Sequence, residues 1–218
     1  MPAPNIYTAR YIVSGGVEMK LITGILSLII LLSIPLSTNA IALVNRDVIL
    51  EAQEYGTKHK QLALTDFLQP WLAYEEQASV INAKTERAYL YTPFLLLAND
   101  ARDKARNNQS VQLADSEKIL ADYAGCLVFS LTINGNSENF SNGMRVFIKQ
   151  DKKIIRPYHS LINAPAKTSW PSGEPQFINY SYFYFREQEI NLDNPIILTV
   201  TTKDKQEHRF YFNLPNFK

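Results

Sequence analysis

At residue 126 the apolar side chains change their spacing, and that switch constrains the fold more than any other feature of the chain. Upstream they recur three and four residues apart, the period of one helix face. Downstream they alternate, the period of a half-buried strand. Leu127, Phe129, Leu131 and Ile133 alternate with Val128, Ser130 and Thr132, while Gly125, just before the switch, suits the left-handed position that closes a helix.

The upstream half reads as helices. Asp47 is placed to cap a segment over 47–60, in which Val48, Ala52 and Tyr55 share a face and Gly56 weakens the end. Thr65 or Asp66 opens a second segment that Pro70 interrupts, and a longer helix is expected over 71–88. Thr92-Pro93 is the clearest start, a threonine cap followed by a proline whose missing N–H costs nothing at the first helical position. The helix over 94–106 puts Phe94, Leu97, Ala98 and Ala101 on one side and ends in Arg102, Lys104 and Arg106, cations that suit its C-terminus. Asp115 is expected to cap a last short helix containing Ile119, Leu120 and Tyr123.

The downstream half reads as strands. After the first, Asn134-Gly135 signals a tight turn, and strands are expected over 145–149, 154–158, 177–185, 196–202 and 208–214. Pro165, Pro171, Gly173 and Pro175 punctuate a long loop between them. The expected fold class is α+β, with an N-terminal helical segment packed on a C-terminal antiparallel β-sandwich, immunoglobulin-like in plan. The expected organisation is an extension over 1–18, a leader over 19–40, a helical region over 41–125 and the sandwich over 126–218.

The leader carries the strongest functional signal. Met19 is followed by Lys20 and then by Leu21 to Leu36, in which the only polar side chains are the hydroxyls of Thr23, Ser27 and Ser33. Pro35 and a small-residue stretch ending at Ala40 follow, in the order of a secretory signal peptide. Cleavage is expected after Ala40, with Ala42 the alternative, and the run is too short and too interrupted to remain as a spanning anchor. Residues 1–18 fit no signal, and Gly15-Gly16 stands where a bacterial ribosome-binding sequence would precede Met19, so translation is expected to begin there.

Composition narrows the chemistry. The whole chain has 22 basic and 21 acidic residues, so charge-driven binding to nucleic acid is not expected. Residues 41–125 carry 9 basic against 12 acidic side chains and residues 126–218 carry 11 against 8, which favours docking of the halves. One cysteine, Cys126, excludes an intramolecular disulfide, and the three histidines are scattered. No cofactor and no metal site is expected, and no catalytic residue is assigned. Cys126 with His159 or His208 could in principle serve as thiol and base, but a cysteine heading an apolar strand is expected to be buried and inert.

The unusual local feature is a tyrosine strand. Tyr180, Tyr182 and Tyr184 fall on one face of 179–185, with Ser181, Phe183 and Phe185 on the other. Together with Tyr158, His159 and Trp170 they form the candidate binding set, suited to a protein or glycan partner. The expected function is that of an exported bacterial protein, secreted or periplasmic, that works by binding rather than catalysis and keeps no membrane anchor after cleavage. Two alternatives stand beside it: an exported hydrolase using carboxylates such as Glu75 with Asp100, and a structural or assembly subunit of the envelope.

Overall fold

The computed structural model describes residues 44–217. The leader, the extension over 1–18 and both cleavage points lie outside the described residues. Among these the fold is α+β, with four α-helices and two antiparallel sheets. No helix of the described residues is long and apolar enough to cross a membrane.

Helix α1 spans Arg46–Lys58, and its cap is Asn45 rather than Asp47: the Asn45 side chain accepts from the Val48 N–H at 3.0 Å, which leaves Asp47 in the first turn. Ile49, Ala52 and Gly56 are its buried residues. Helix α2, Leu64–Leu68, runs into a 3-10 turn at Gln69–Trp71 containing Pro70. Helix α3, Pro93–Arg106, starts as its sequence implies, with the Thr92 hydroxyl accepting from the Leu95 N–H at 3.2 Å. Helix α4, Leu113–Asp122, has Gln112 at its N-cap and Asp115 inside its first turn, so Asp115 is not its cap. Gly125 takes the left-handed conformation, φ +67°.

Ten strands complete the described residues: β1 Leu72–Tyr74, β2 Arg87–Tyr91, β3 Cys126–Gly135, β4 Arg145–Gln150, β5 Lys153–Ile155, β6 His159–Ile162, β7 Ala166–Lys167, β8 Phe177–Arg186, β9 Ile196–Thr201 and β10 Glu207–Phe212. One sheet runs β1-β2-β3-β8-β6, with β7 also on β8, and the other runs β10-β9-β4-β5. The helix expected over 71–88 is therefore replaced by β1, a connecting stretch and β2. β2 has a partner on each side, β1 and β3, and this pairing together with burial of Ala88, Tyr89 and Leu90 outweighs the helical preference of the intervening Glu75-Glu76-Gln77. Asn134-Gly135 is likewise no tight turn. β3 continues through Gly135, against which the Phe140 ring packs where a side chain would otherwise stand.

Both sheets feed one apolar cluster. Leu90, Leu127, Phe129, Phe183 and Phe185 enter it from the first sheet and Ile148, Leu198, Val200, Phe210 and Phe212 from the second. Phe129 meets the Phe185 and Phe212 rings edge-on at 5.6 and 5.2 Å, geometry that favours aromatic pairs. A second cluster joins Ile49, Ala52, Phe67, Trp71, Phe94 and Leu97 of the helical segments to Tyr89 of β2.

The two long sides of the sheet pair differ. On one, β1 and β10 are stitched by a bridge between Glu75 and Phe210, by the Glu76 N–H donating to the Arg209 carbonyl at 2.9 Å, and by a 3.3 Å ion pair of Arg209 with Glu76. On the other, the strand expected over 154–158 is split. β5 ends at Ile155, Pro157 has no N–H to continue the ladder, and the Tyr158 N–H already donates to Tyr184 of the other sheet at 2.9 Å.

Candidate binding face

The period-two pattern of β8 sorts its side chains. Asn179, Ser181, Phe183 and Phe185 are buried, whereas Tyr180, Tyr182 and Tyr184 project from the opposite face. Tyr180 is 48% exposed, and Tyr182 and Tyr184 are half-buried. Register places neighbours beside them: His159 is opposite Tyr184 and Leu161 opposite Tyr182 on β6, with Val128, Ser130 and Thr132 of β3 on the other flank. Directly paired residues share a face, so His159 and Leu161 extend the tyrosine row.

At the C-terminal end of the row the aromatic groups touch. The His159 and Tyr184 rings lie 5.2 Å apart, and those of Tyr158 and Tyr184 lie 6.5 Å apart. The Arg186 guanidinium sits 5.4 Å over the Tyr158 ring, a cation–π contact. The Tyr158 hydroxyl donates to Cys126 Sγ at 3.2 Å. That bond, then burial, pushes the Tyr158 phenol up to about 12. Burial also raises the Cys126 thiol, outweighing the opposite effect of the Tyr158 hydroxyl. A thiol held protonated and buried is the reverse of an activated nucleophile, and its hydrogen-bond partner is a phenol, not His159 or His208.

Towards the helices the row continues with a residue that sequence reasoning missed. Tyr91 of β2 has its phenol pushed up to about 12, first by burial and then by Tyr182, Tyr89 and Asp103. Its alternation with Tyr89 in Arg87 to Tyr91 is visible in the sequence, but assigning part of that stretch to a helix hid it. Leu161 was missed because only strand register brings it to the row, and Arg186, two residues beyond Tyr184 on the same face of β8, was missed because its contact with Tyr158 depends on where the chain before β6 lies.

Trp170 stands elsewhere. Its ring receives Lys84 Nζ at 5.8 Å, Lys84 pairs with Glu174 at 3.0 Å, and the Lys84 carbonyl accepts from Asn134 Nδ2 at 2.7 Å. Asn134 is opposite Ile178, six residues from Tyr184 along β8, a separation of roughly 20 Å at strand rise. Trp170 therefore belongs to the far end of β8 from Tyr158 and His159.

The carboxylates named as an alternative are also separated. Glu75 accepts from the backbone N–H groups of Gln77 and Arg209, at 2.7 and 3.4 Å, and borders a polar cavity of about 410 Å³ with Glu86, Glu174 and Asp204. Asp100 pairs with Lys104 at 2.7 Å on α3, does not line that cavity, and shares Lys104 with Asp115. Among the described residues no group of three or more His, Cys, Asp or Glu side chains is arranged to hold a metal ion.

No protein-family model, no curated protein and no solved structure matches the chain.

Proposed function

We propose that this is an exported bacterial envelope or extracellular protein that acts by binding a protein or glycan through the tyrosine row of its first sheet. In this reading the two sheets form a sandwich of immunoglobulin-like plan, and the helices cover the β1–β2 part of the outer face. The row on β8 and β6 is the part they leave to solvent. The observation that carries the proposal is the sorting of β8: its phenylalanines are buried, while Tyr180, Tyr182 and Tyr184 face outward beside His159 and Tyr158. Flat rings with a polar tip, partly immobilised by neighbours, supply contact area to sugar faces or protein side chains at small entropic cost.

The test is a titration of the purified protein with a panel of oligosaccharides and envelope proteins. Any ligand found should bind at least about tenfold more weakly to a Tyr180→Ala, Tyr182→Ala double variant, with its melting temperature unchanged. Unchanged affinity in that variant would remove the row from the function.

A further inference from the structure

The open side of the sheet pair holds a second, distinct surface. β4 is paired along Arg145 to Lys149 with β9, but β5 covers only Ile148 to Gln150 on its other edge. Because β5 stops at Ile155 and the chain crosses at Pro157 to the other sheet, no described strand pairs with that edge of Arg145, Val146 and Phe147. In an antiparallel strand alternate residues turn both backbone groups to the same side; Gln150 and Ile148 turn theirs to β5, so in this stretch Val146 presents its ladder groups to the gap while Arg145 and Phe147 turn theirs to β9.

The gap is a groove of about 460 Å³. Its lining includes the buried Val146 and Phe183, with Pro157, Ser160, Arg145 and Arg156. The strands around it keep apolar side chains in solvent: Ile154 is 60% exposed and Ile162 40%. Charge along the chain from β4 to β7 is one-sided. From 145 to 167 the chain carries Arg145, Lys149, Lys152, Lys153, Arg156 and Lys167 against the single acid Asp151. Neither Arg145 nor Arg156 makes an ion pair among the described residues.

We infer that this groove accepts an extended acidic segment of a partner protein, added as a strand alongside Arg145 to Phe147. The segment's backbone takes the hydrogen bonds that β5 leaves unmade, its apolar side chains rest on Val146 and Phe183, and its carboxylates meet Arg145 and Arg156. The unpaired length of β4 sets the backbone contact, and the uncompensated cations select the sign of the partner. Neither feature draws on the tyrosine row, so this inference stands or falls separately from the function proposed above.

The experiment uses two short synthetic peptides, one alternating valine with glutamate and one alternating valine with lysine, titrated against the full chain. The acidic peptide should bind, the lysine peptide at least about tenfold more weakly, and the amide of Val146 should exchange hydrogen more slowly in the acidic complex. Arg145→Glu and Arg156→Glu, both at solvent-accessible positions, should each weaken the acidic peptide several-fold without lowering the melting temperature, while Tyr182→Ala should leave it unchanged. Equal binding of the two peptides, no binding of the acidic one, or protection confined to other strands would overturn the inference. So would slow exchange at Val146 that depends on protein concentration alone, because a second copy of the chain would then be the occupant.

Discussion

Gly56 of α1 lies directly against the backbone of Ala98 in α3: a β-carbon built at Gly56 would overlap the Ala98 carbonyl oxygen and crowd the Arg102 N–H. The obstacle is backbone rather than a movable side chain. In an isolated helix, replacing an interior glycine with alanine gains about 1 kcal/mol. Here the sign should reverse, and Gly56→Ala should lose about 3 kcal/mol in denaturant unfolding as the helices are forced apart. A stabilised variant would mean that α1 and α3 do not cross at this contact.

Arg102 is buried, with Nη2 donating to the Leu62 carbonyl at 2.8 Å and the guanidinium 5.0 Å over the Phe67 ring. It fastens the α1–α2 connection to α3. Arg102→Ala should cost about 3 kcal/mol or more through an empty volume and an orphaned carbonyl. Arg102→Met refills the volume and removes a buried charge, so it should recover at least half of that loss. Equal losses in the two variants would assign the effect to the polar contacts with Leu62 and Asp103 rather than to packing.

His208 on β10 is paired through Nδ1 with Glu86 at 2.5 Å, joining the last strand to the residue before β2. Burial pushes the imidazole down, but Glu86, with Glu75 and Asp204, more than reverses this and holds it above its ordinary value of 6.5. A raised folded value means that the stabilisation is fully present below about pH 6.5 and is lost as the pH climbs through the folded value. The melting temperature should therefore decline over that window above 6.5. His208→Gln should flatten the decline, and a slope identical to that of the parent protein would show that the pair has no part in it.

Cys126 should resist thiol reagents at neutral pH in the native state and react at once in denaturant, because its thiol is buried and raised. Cys126→Ala should leave partner binding intact. Rapid native labelling would contradict the buried, Tyr158-bonded thiol.

Export is checked by N-terminal sequencing of the protein recovered outside the cytoplasm, which should begin at Ile41 or Leu43. Material that retains Lys20 and extracts only with detergent would indicate an anchored segment.

Much of this organisation was legible where local signals and tertiary pairing agree. Thr92-Pro93 fixed the start of α3, and the alternation from Leu127 to Ile133 fixed the inward face of β3, because a capping hydroxyl and a period of two act within a few residues. The strands at 72–74 and 87–91 were not legible, since their stability comes from partners 37 to 45 residues away or from each other across a long connection. The tyrosine row was readable along β8 but not across it. Which end of the strand Tyr158, His159 and Trp170 join depends on register, and that placed Trp170 apart from the other two.

The stitch between β1 and β10 has a consequence in time. Arg209 donates its backbone N–H to the Glu75 carboxylate 134 positions earlier, so the closed side joins nearly the first described strand to the last. A chain delivered N-terminus first, from a ribosome or through a membrane pore, holds 72–76 without their final neighbour until almost all of the sequence has emerged. Loop closure over that span is slow compared with local hairpins. Completion of this side of the fold therefore waits for Arg209, 134 positions after Glu75.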